Sequence, residues 1–259
     1  MLAYERQGAG APLVLLHGLG HRRQAWQTVM PMLAAEHDVI AVDLPGFGES
    51  APPPGYRWRE DLAPAIAAFM DELGLERPHV AGNSLGGALA LELAIAGKVA
   101  SATALAPAGF WTESERRITL VKLRALRACT FIPLPAMRLM VRSTRLRTLA
   151  YGMVAGRPDR LEPQTILEDA LAMRKASRYM AVARCGKGYA VEGTPQCPIT
   201  IAWGTKDRIL SPHQLERARR RFPEAQHAEL DGCGHVPMSD DPERVAELIL
   251  DTTKAAGRP

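Results

Sequence analysis

Ser84 lies in Gly82-Asn83-Ser84-Leu85-Gly86, after a short apolar run (Pro78-His79-Val80-Ala81) and before a stretch of helical apolar spacing from Ala88 to Ile95. Strand, then G-x-S-x-G, then helix is the context that holds a serine hydroxyl at the tip of a sharp turn. Such a turn forces the serine toward φ > 0. It also brings strand and helix so close that side chains at 82 and 86 would collide, which explains the two glycines. The first amides of the helix then face any negative charge developing beside the hydroxyl. A serine hydroxyl is a weak nucleophile at neutral pH. It needs a base, and the base needs a carboxylate to fix its tautomer.

Two later loops carry these groups. The apolar run from Cys197 to Trp203 ends in Gly204-Thr205-Lys206-Asp207, and the run from His227 to Leu230 leads into Asp231-Gly232-Cys233-Gly234-His235. Ser84 is expected as nucleophile, His235 as base and Asp207 as the orienting acid. The chemistry is acyl transfer through a covalent intermediate, which also needs N–H donors where the carbonyl oxygen gains charge. The backbone N–H of Leu85 is one expected donor. Leu19, between Gly18 and Gly20 in the loop after the first long apolar run, is the other.

The remaining titratable residues have structural readings. His17 shapes the loop that it begins, and Asp43 stabilises the turn Asp43-Leu44-Pro45-Gly46-Phe47-Gly48. His21, His37, His79, His213 and His227 fall where surface or helix-capping roles are expected. Cys233 follows no turn of the Ser84 kind and reads as a buried small side chain. The strand ending near Leu105 has no acid at its tip, which leaves Asp207 as the carboxylate.

The elements that must position these groups alternate. Residues 2 to 7 suit a short edge strand. Pro12 to Leu16 and His37 to Val42 are continuous apolar runs of the kind buried on both faces of a parallel sheet. Helical spacing runs from Ala25 to Leu33, and Leu62, Ile66, Phe69, Met70 and Leu73 share one helical face. Ala51-Pro52-Pro53-Pro54-Gly55 is a stiff loop between them. A strand over about 102–105 follows the elbow. From Trp111 to Val191 the pattern is helical only, punctuated by prolines at 133, 135, 158 and 163. The alternation resumes with a strand at 197–203, a helix at about 212–222, a strand near 227–230 and a last helix from about 242 to 254. The fold class expected is α/β, a mostly parallel sheet with helices on both faces. Residues 1–110 and 192–259 form its core, and residues 111–191 form a helical insertion.

With 259 residues, about 47% of them hydrophobic, the chain can bury a full core. No apolar run has the length of a membrane span, and Met1-Leu2-Ala3-Tyr4-Glu5-Arg6 lacks a secretory pattern. Cys129, Cys185, Cys197 and Cys233 show no metal-ligand spacing and are expected as free thiols in a cytoplasmic protein. No metal or cofactor is expected. The net charge is +4, yet nine basic and no acidic residues lie between Arg116 and Arg147, so the rest of the chain is net acidic. That segment suits weak contact with an anionic surface, or a solvated helical face with arginines lying over apolar neighbours. It lacks the interleaved aromatics of a nucleic-acid binder, and none is expected as partner. Oligomeric state has no signal in the sequence.

His17-Gly18-Leu19-Gly20, Asp43-Leu44-Pro45-Gly46-Phe47-Gly48-Glu49-Ser50, Gly82-Asn83-Ser84-Leu85-Gly86-Gly87, Gly204-Thr205-Lys206-Asp207 and Gly232-Cys233-Gly234-His235 together resemble the α/β-hydrolase fold family. Within it the chain is similar to the serine esterase, lactonase and C–C bond hydrolase group. The resemblance implies a helical cap over the active site, an oxyanion hole from Leu19 and Leu85, and a small-molecule ester as substrate. Its alternatives are a C–C bond, lactone or thioester hydrolase acting on an acidic substrate, a ligand-binding protein of low turnover, or cofactor-free peroxidase side chemistry. Arg174, Arg178 or Arg184 would then hold a substrate carboxylate. Ser84 departs from the aspartate-nucleophile members, and the short N-terminus implies a missing or rudimentary first strand. Trp111, Phe131 and Met140 are apolar residues expected either to line the substrate pocket or to pack the helical segment onto the core.

Overall fold

Apolar runs of strand length can be buried on both faces only inside a sheet covered twice, and the computed structural model has that arrangement. It describes residues 1–53, 55–57 and 60–257; the Pro54 of the proline loop lies outside them. Seven strands form one sheet in the order β1-β3-β2-β4-β5-β6-β7. They are β1 (Tyr4–Gln7), β2 (Ala11–Leu16), β3 (His37–Val42), β4 (His79–Asn83), β5 (Ser101–Leu105), β6 (Ile199–Gly204) and β7 (Gln226–Leu230). Only β1 runs antiparallel, along β3. Residues 4–7 supply one four-residue edge strand, and the described sheet has seven strands.

Successive strand residues point to opposite faces. Val14, Leu16, Ile40, Val42, Val80 and Ile201 pack under α2 (Leu62–Glu72), α3 (Leu85–Ile95) and α9 (Gln214–Arg221). Leu13, Leu15, Val39, Ala41, Ala81 and Ala202 pack under α1 (Met30–Leu33) and α11 (Pro242–Ala256). The helix expected from Ala25 to Leu33 is broken into a 3-10 turn, Arg23–Trp26, and the one-turn α1. Pro31 is the cause: without an N–H it fits the first turn of a helix and not its interior. A short helix absent from the sequence reading, α10 (Pro237–Asp240), follows the His235 loop.

Between β5 and β6 the described residues form helices only: α4 (Glu113–Cys129), α5 (Leu134–Arg142), α6 (Thr144–Tyr151), α7 (Pro163–Lys175) and α8 (Tyr179–Cys185). Thr112 and Glu115 close a capping box at the start of α4. Arginines close the helix ends that follow. Arg127 of α4 donates to the carbonyls of Met173 and Ala176 at the end of α7, both at 2.7 Å. Arg174 of α7 returns the favour to Thr130 and Ile132, beyond the end of α4, at 2.5 and 2.6 Å. The buried Arg147 reaches Val141 and Asp159 carbonyls. C-terminal carbonyls carry partial negative charge and lack intrahelical donors, so these arginines are matched without carboxylates. Much of the basic excess of this segment is therefore structural.

Parallel register brings the strand ends into line. Leu16 pairs with Gly82, Asn83 with Leu105, Leu105 with Ala202 and Gly204 with Leu230. The loops that begin at His17, Ser84, Thr205 and Asp231 consequently leave the same edge of the sheet, where open parallel sheets collect their functional groups. The closest packing there is between β4 and α3. A Cβ on Gly82 would overlap the carbonyl of Gly86 and stand 2.7 Å from the amide nitrogen of Gly87. Gly82→Ala is therefore expected to cost about 2–3 kcal/mol through overpacking, read in thermal unfolding as a melting temperature lowered by roughly 5–10 °C.

Candidate active site

Ser84 stands between β4 and α3 with φ 56° and ψ −110°. A β-carbon makes that region costly, on the order of 1–3 kcal/mol, and the surroundings hold it there. The Ser84 N–H donates to Leu105 O at 2.8 Å, while Ser84 O accepts from the amides of Ala88 and Ala108 at 3.0 and 3.1 Å. The residue before it is fixed as well. Asn83 donates through Nδ2 to Leu105 O at 3.2 Å and to His235 O at 2.9 Å, so the serine turn and the histidine loop are tied directly.

Asp207 and His235 meet across the ends of β6 and β7. His235 Nδ1 donates to Asp207 Oδ2 at 2.7 Å, and the other carboxylate oxygen accepts from the amides of Ile209 and Leu210 at 2.8 and 2.9 Å. The acid is 4% exposed and the histidine 8%. An acid held by two amides and facing one imidazole N–H fixes the tautomer, leaving the lone pair on Nε2. Among the described residues no hydrogen bond joins Ser84 Oγ directly to His235.

The histidine loop is clamped by the helical segment. His235 N donates to Val154 O at 2.7 Å, and Asp240 accepts from the amides of Gly156, Arg157 and Gly234 at 2.7–2.8 Å. A Cβ on Gly156 would overlap Gly232 O, so the 154–157 turn and the 232–235 loop touch backbone to backbone. The acid loop is held from the same side, by Thr119 of α4 donating to Ile209 O at 3.2 Å. Cys233 is fully buried and its thiol is pushed up to about 12, by burial first and then by Asp240, so it is no second nucleophile at neutral pH.

The loop after β2 lies against the serine. A Cβ on Gly18 would be 3.4 Å from Ser84 Cβ. Neither the Leu19 nor the Leu85 amide, the two expected oxyanion donors, is used in a hydrogen bond among the described residues. Leu85 begins α3, where the first amides have no intrahelical acceptor. His17 holds this loop from beneath: Nδ1–H donates to Gly18 O at 2.8 Å and Nε2 accepts from Leu44 N at 3.0 Å. Asp43, fully buried, accepts from the Arg23 amide and guanidinium, both at 2.6 Å, and from Glu49 N at 2.9 Å. Both side chains are consumed by the loop itself.

A cleft of about 850 Å³, counting its open mouth, has Leu19, Ser84 and Leu85 on its floor. Leu120 and Leu123 of α4, Val182 of α8 and Trp111 form much of the remaining wall. Trp111 is thus where a pocket residue was expected. Met140 instead lines a second cleft of about 730 Å³, again counting its open mouth, among α4 to α7, and Phe131 is 58% exposed beneath the guanidinium groups of Arg127 and Arg174. Of the arginines considered for a substrate carboxylate, Arg174 is spent on carbonyls, while Arg178 and Arg184 are exposed. The arginine that does line the cleft is Arg116, and Glu113 binds it through both carboxylate oxygens at 2.7 Å. Helical spacing from Thr119 and Leu120 was the available signal for it. Asp240 carried no motif and was missed.

Two measurements check these supports. Asp240→Ala leaves three amides without their acceptor, at about 1–3 kcal/mol each; denaturant unfolding should show a loss of several kcal/mol and hydrolytic turnover should fall with it. Burial pushes His17 down to about 4 from its ordinary 6.5. The unfolded chain therefore takes up a proton between pH 6.5 and 4 that the folded protein refuses. Stability is expected to fall by about 3 kcal/mol as the pH drops through that window, and His17→Gln should flatten the slope.

The chain matches the sequence model of the Alpha/beta hydrolase family over residues 13–248. It is 30% identical over 245 residues to the dihydrolipoyllysine-residue acetyltransferase component of the acetoin cleaving system of Pseudomonas putida, covering 93% of this chain and 63% of that protein's length. It is 33% identical over 201 residues to the epoxide hydrolase EphH of Mycobacterium tuberculosis, covering 73% of this chain and 91% of the relative. A thermophilic esterase from Thermogutta terrifontis superposes with a TM-score of 0.77 at 24% identity, covering 99% of this chain and 94% of the esterase, a likeness of fold. With the sheet order, the strand–Ser84–helix turn and the match over nearly the whole length, this chain belongs to the Alpha/beta hydrolase family.

Proposed function

We propose that the protein is a serine hydrolase cleaving a carboxylic ester through an acyl-enzyme. The observation that carries this reading is the buried Asp207–His235 hydrogen bond of 2.7 Å at the sheet edge that also bears Ser84 on its strained turn. Ser84 Oγ attacks the ester carbonyl while His235 Nε2 takes its proton, and Asp207 stabilises the imidazolium without itself being protonated. The unused amides of Leu19 and Leu85 receive the charge that builds on the carbonyl oxygen. Proton return from His235 releases the alcohol. The same nitrogen then activates water, and the acid leaves with the serine regenerated.

The segment 111–191 acts in this reading as a cap. Its residues form the upper wall of the cleft, and its turns hold the loops of the acid and the histidine. The apolar wall favours an uncharged ester with a greasy acyl or alcohol part. An acidic C–C substrate is less well served, since Glu113 neutralises the cleft's Arg116 and Arg174 is bound to carbonyls.

Hydrolysis of nitrophenyl esters of increasing acyl length, wild type beside Ser84→Ala, tests this directly. Turnover in the variant is expected to fall by about 10⁴-fold or more. A fluorophosphonate probe should label the wild type at Ser84 and leave the variant unlabelled. A wild type that neither turns over any ester nor takes the label would refute the assignment.

A further inference from the structure

Apart from Met1, every large hydrophobic side chain that is strongly exposed among the described residues falls between positions 118 and 149. They are Ile118 and Val121 on α4, Phe131 after it, Leu139 on α5, and Leu146 and Leu149 on α6, at 45–83% exposure. Single exposed leucines are ordinary on a protein surface; a concentration of them along three consecutive helices calls for a partner. The same stretch holds the acid-free run of basic residues. Arg127 and Arg147 are turned inward onto carbonyls, and Arg116 is paired with Glu113. Arg124, Arg138, Arg142 and Arg145 are exposed and make no ion pair among the described residues. These four sit one to four positions from the exposed apolar side chains on the same three helices.

We propose that the outer faces of α4, α5 and α6 dock on an anionic phospholipid surface. Unpaired arginines interleaved with projecting leucine, isoleucine, valine and phenylalanine match such an interface, where guanidinium groups meet lipid phosphates and the apolar tips enter the acyl boundary. Charge complementarity selects this occupant over a second copy of the chain. A symmetric pairing would set two acid-free basic faces against each other. The geometry of α4 gives the docking a consequence. Its outer stripe carries Arg117, Ile118, Val121 and Arg124, while Arg116, Thr119, Leu120 and Leu123 on its other side line the cleft above Ser84. One helix would thus separate the lipid surface from the cleft.

Co-sedimentation with vesicles tests this without reference to catalysis. The wild type is expected to pellet with phosphatidylcholine vesicles doped with phosphatidylglycerol, weakly with phosphatidylcholine alone, and less as salt is raised. Replacing three arginines (R138Q/R142Q/R145Q) should lower the partition coefficient by about a hundredfold, and L139S/L149S by about tenfold or more. Both variants should hydrolyse a short soluble ester as the wild type does, and Ser84→Ala should bind vesicles unchanged, so failure of the ester reading and failure of docking are distinguishable. The proposal is overturned if the wild type stays in the supernatant at low salt, or if the arginine variant binds as well as the wild type. A dimer in sedimentation velocity that L139S/L149S dissociates would overturn it too, assigning the face to a second copy.

Discussion

The close approach of β4 and α3 is the constraint on which the site depends. A Cβ on Gly82 would overlap the Gly86 carbonyl and one on Gly86 the Leu16 carbonyl at the end of β2, and between these two contacts Ser84 takes its strained φ of 56°. The cost is met by the hydrogen bonds of the serine's own backbone to Leu105, Ala88 and Ala108, all of which belong to elements packed around the elbow. The same turn leaves the Leu85 amide at the positive end of α3 and sets Gly18 against the serine. Moving β4 from α3 would therefore displace the Ser84 hydroxyl and the Leu85 amide together.

The helical segment is bound to the core at three of the loops that leave this edge of the sheet. Thr119 holds the acid loop, the 154–157 turn holds the histidine loop through Asp240, and Arg22 with Glu168, at 2.8 Å, links α7 to the loop after Leu19. Internally the segment closes its helices with arginine side chains on carbonyls rather than with carboxylates. A guanidinium fork satisfies two or three orphan acceptors at once, so few acids are needed. This economy leaves the outer arginines unpaired and gives the segment its charge.

Electrostatics divides the buried polar residues by role. His17 and Asp43 have every hydrogen-bonding atom facing the loop they stabilise, and burial keeps the imidazole neutral. His235 and Asp207 differ in geometry: one imidazole nitrogen is held by the acid, and Nε2 makes no hydrogen bond among the described residues. Equal burial thus accompanies two different arrangements, separated by which atoms remain unspent.

Strand-helix alternation and the glycine-framed serine turn were legible in the chain, because period, turn chemistry and loop glycines are local properties. The family, the sheet and the helical character of 111–191 followed from them. Pro31 was local evidence too, yet its break in the 25–33 helix went unread. What tertiary structure alone decided was partnership. Nothing in the spacing of Asp240 foretells three amides drawn from two loops, one of them 83 residues away. Nor does the pattern of the basic segment say which arginines turn inward to carbonyls and which stay in solvent. Phe131 and Met140 make the same point: apolar character predicts burial somewhere, while the crossing of helices chooses between the Ser84 cleft, a second cleft and the surface. A helix's periodicity determines its faces, and only packing determines what each face meets.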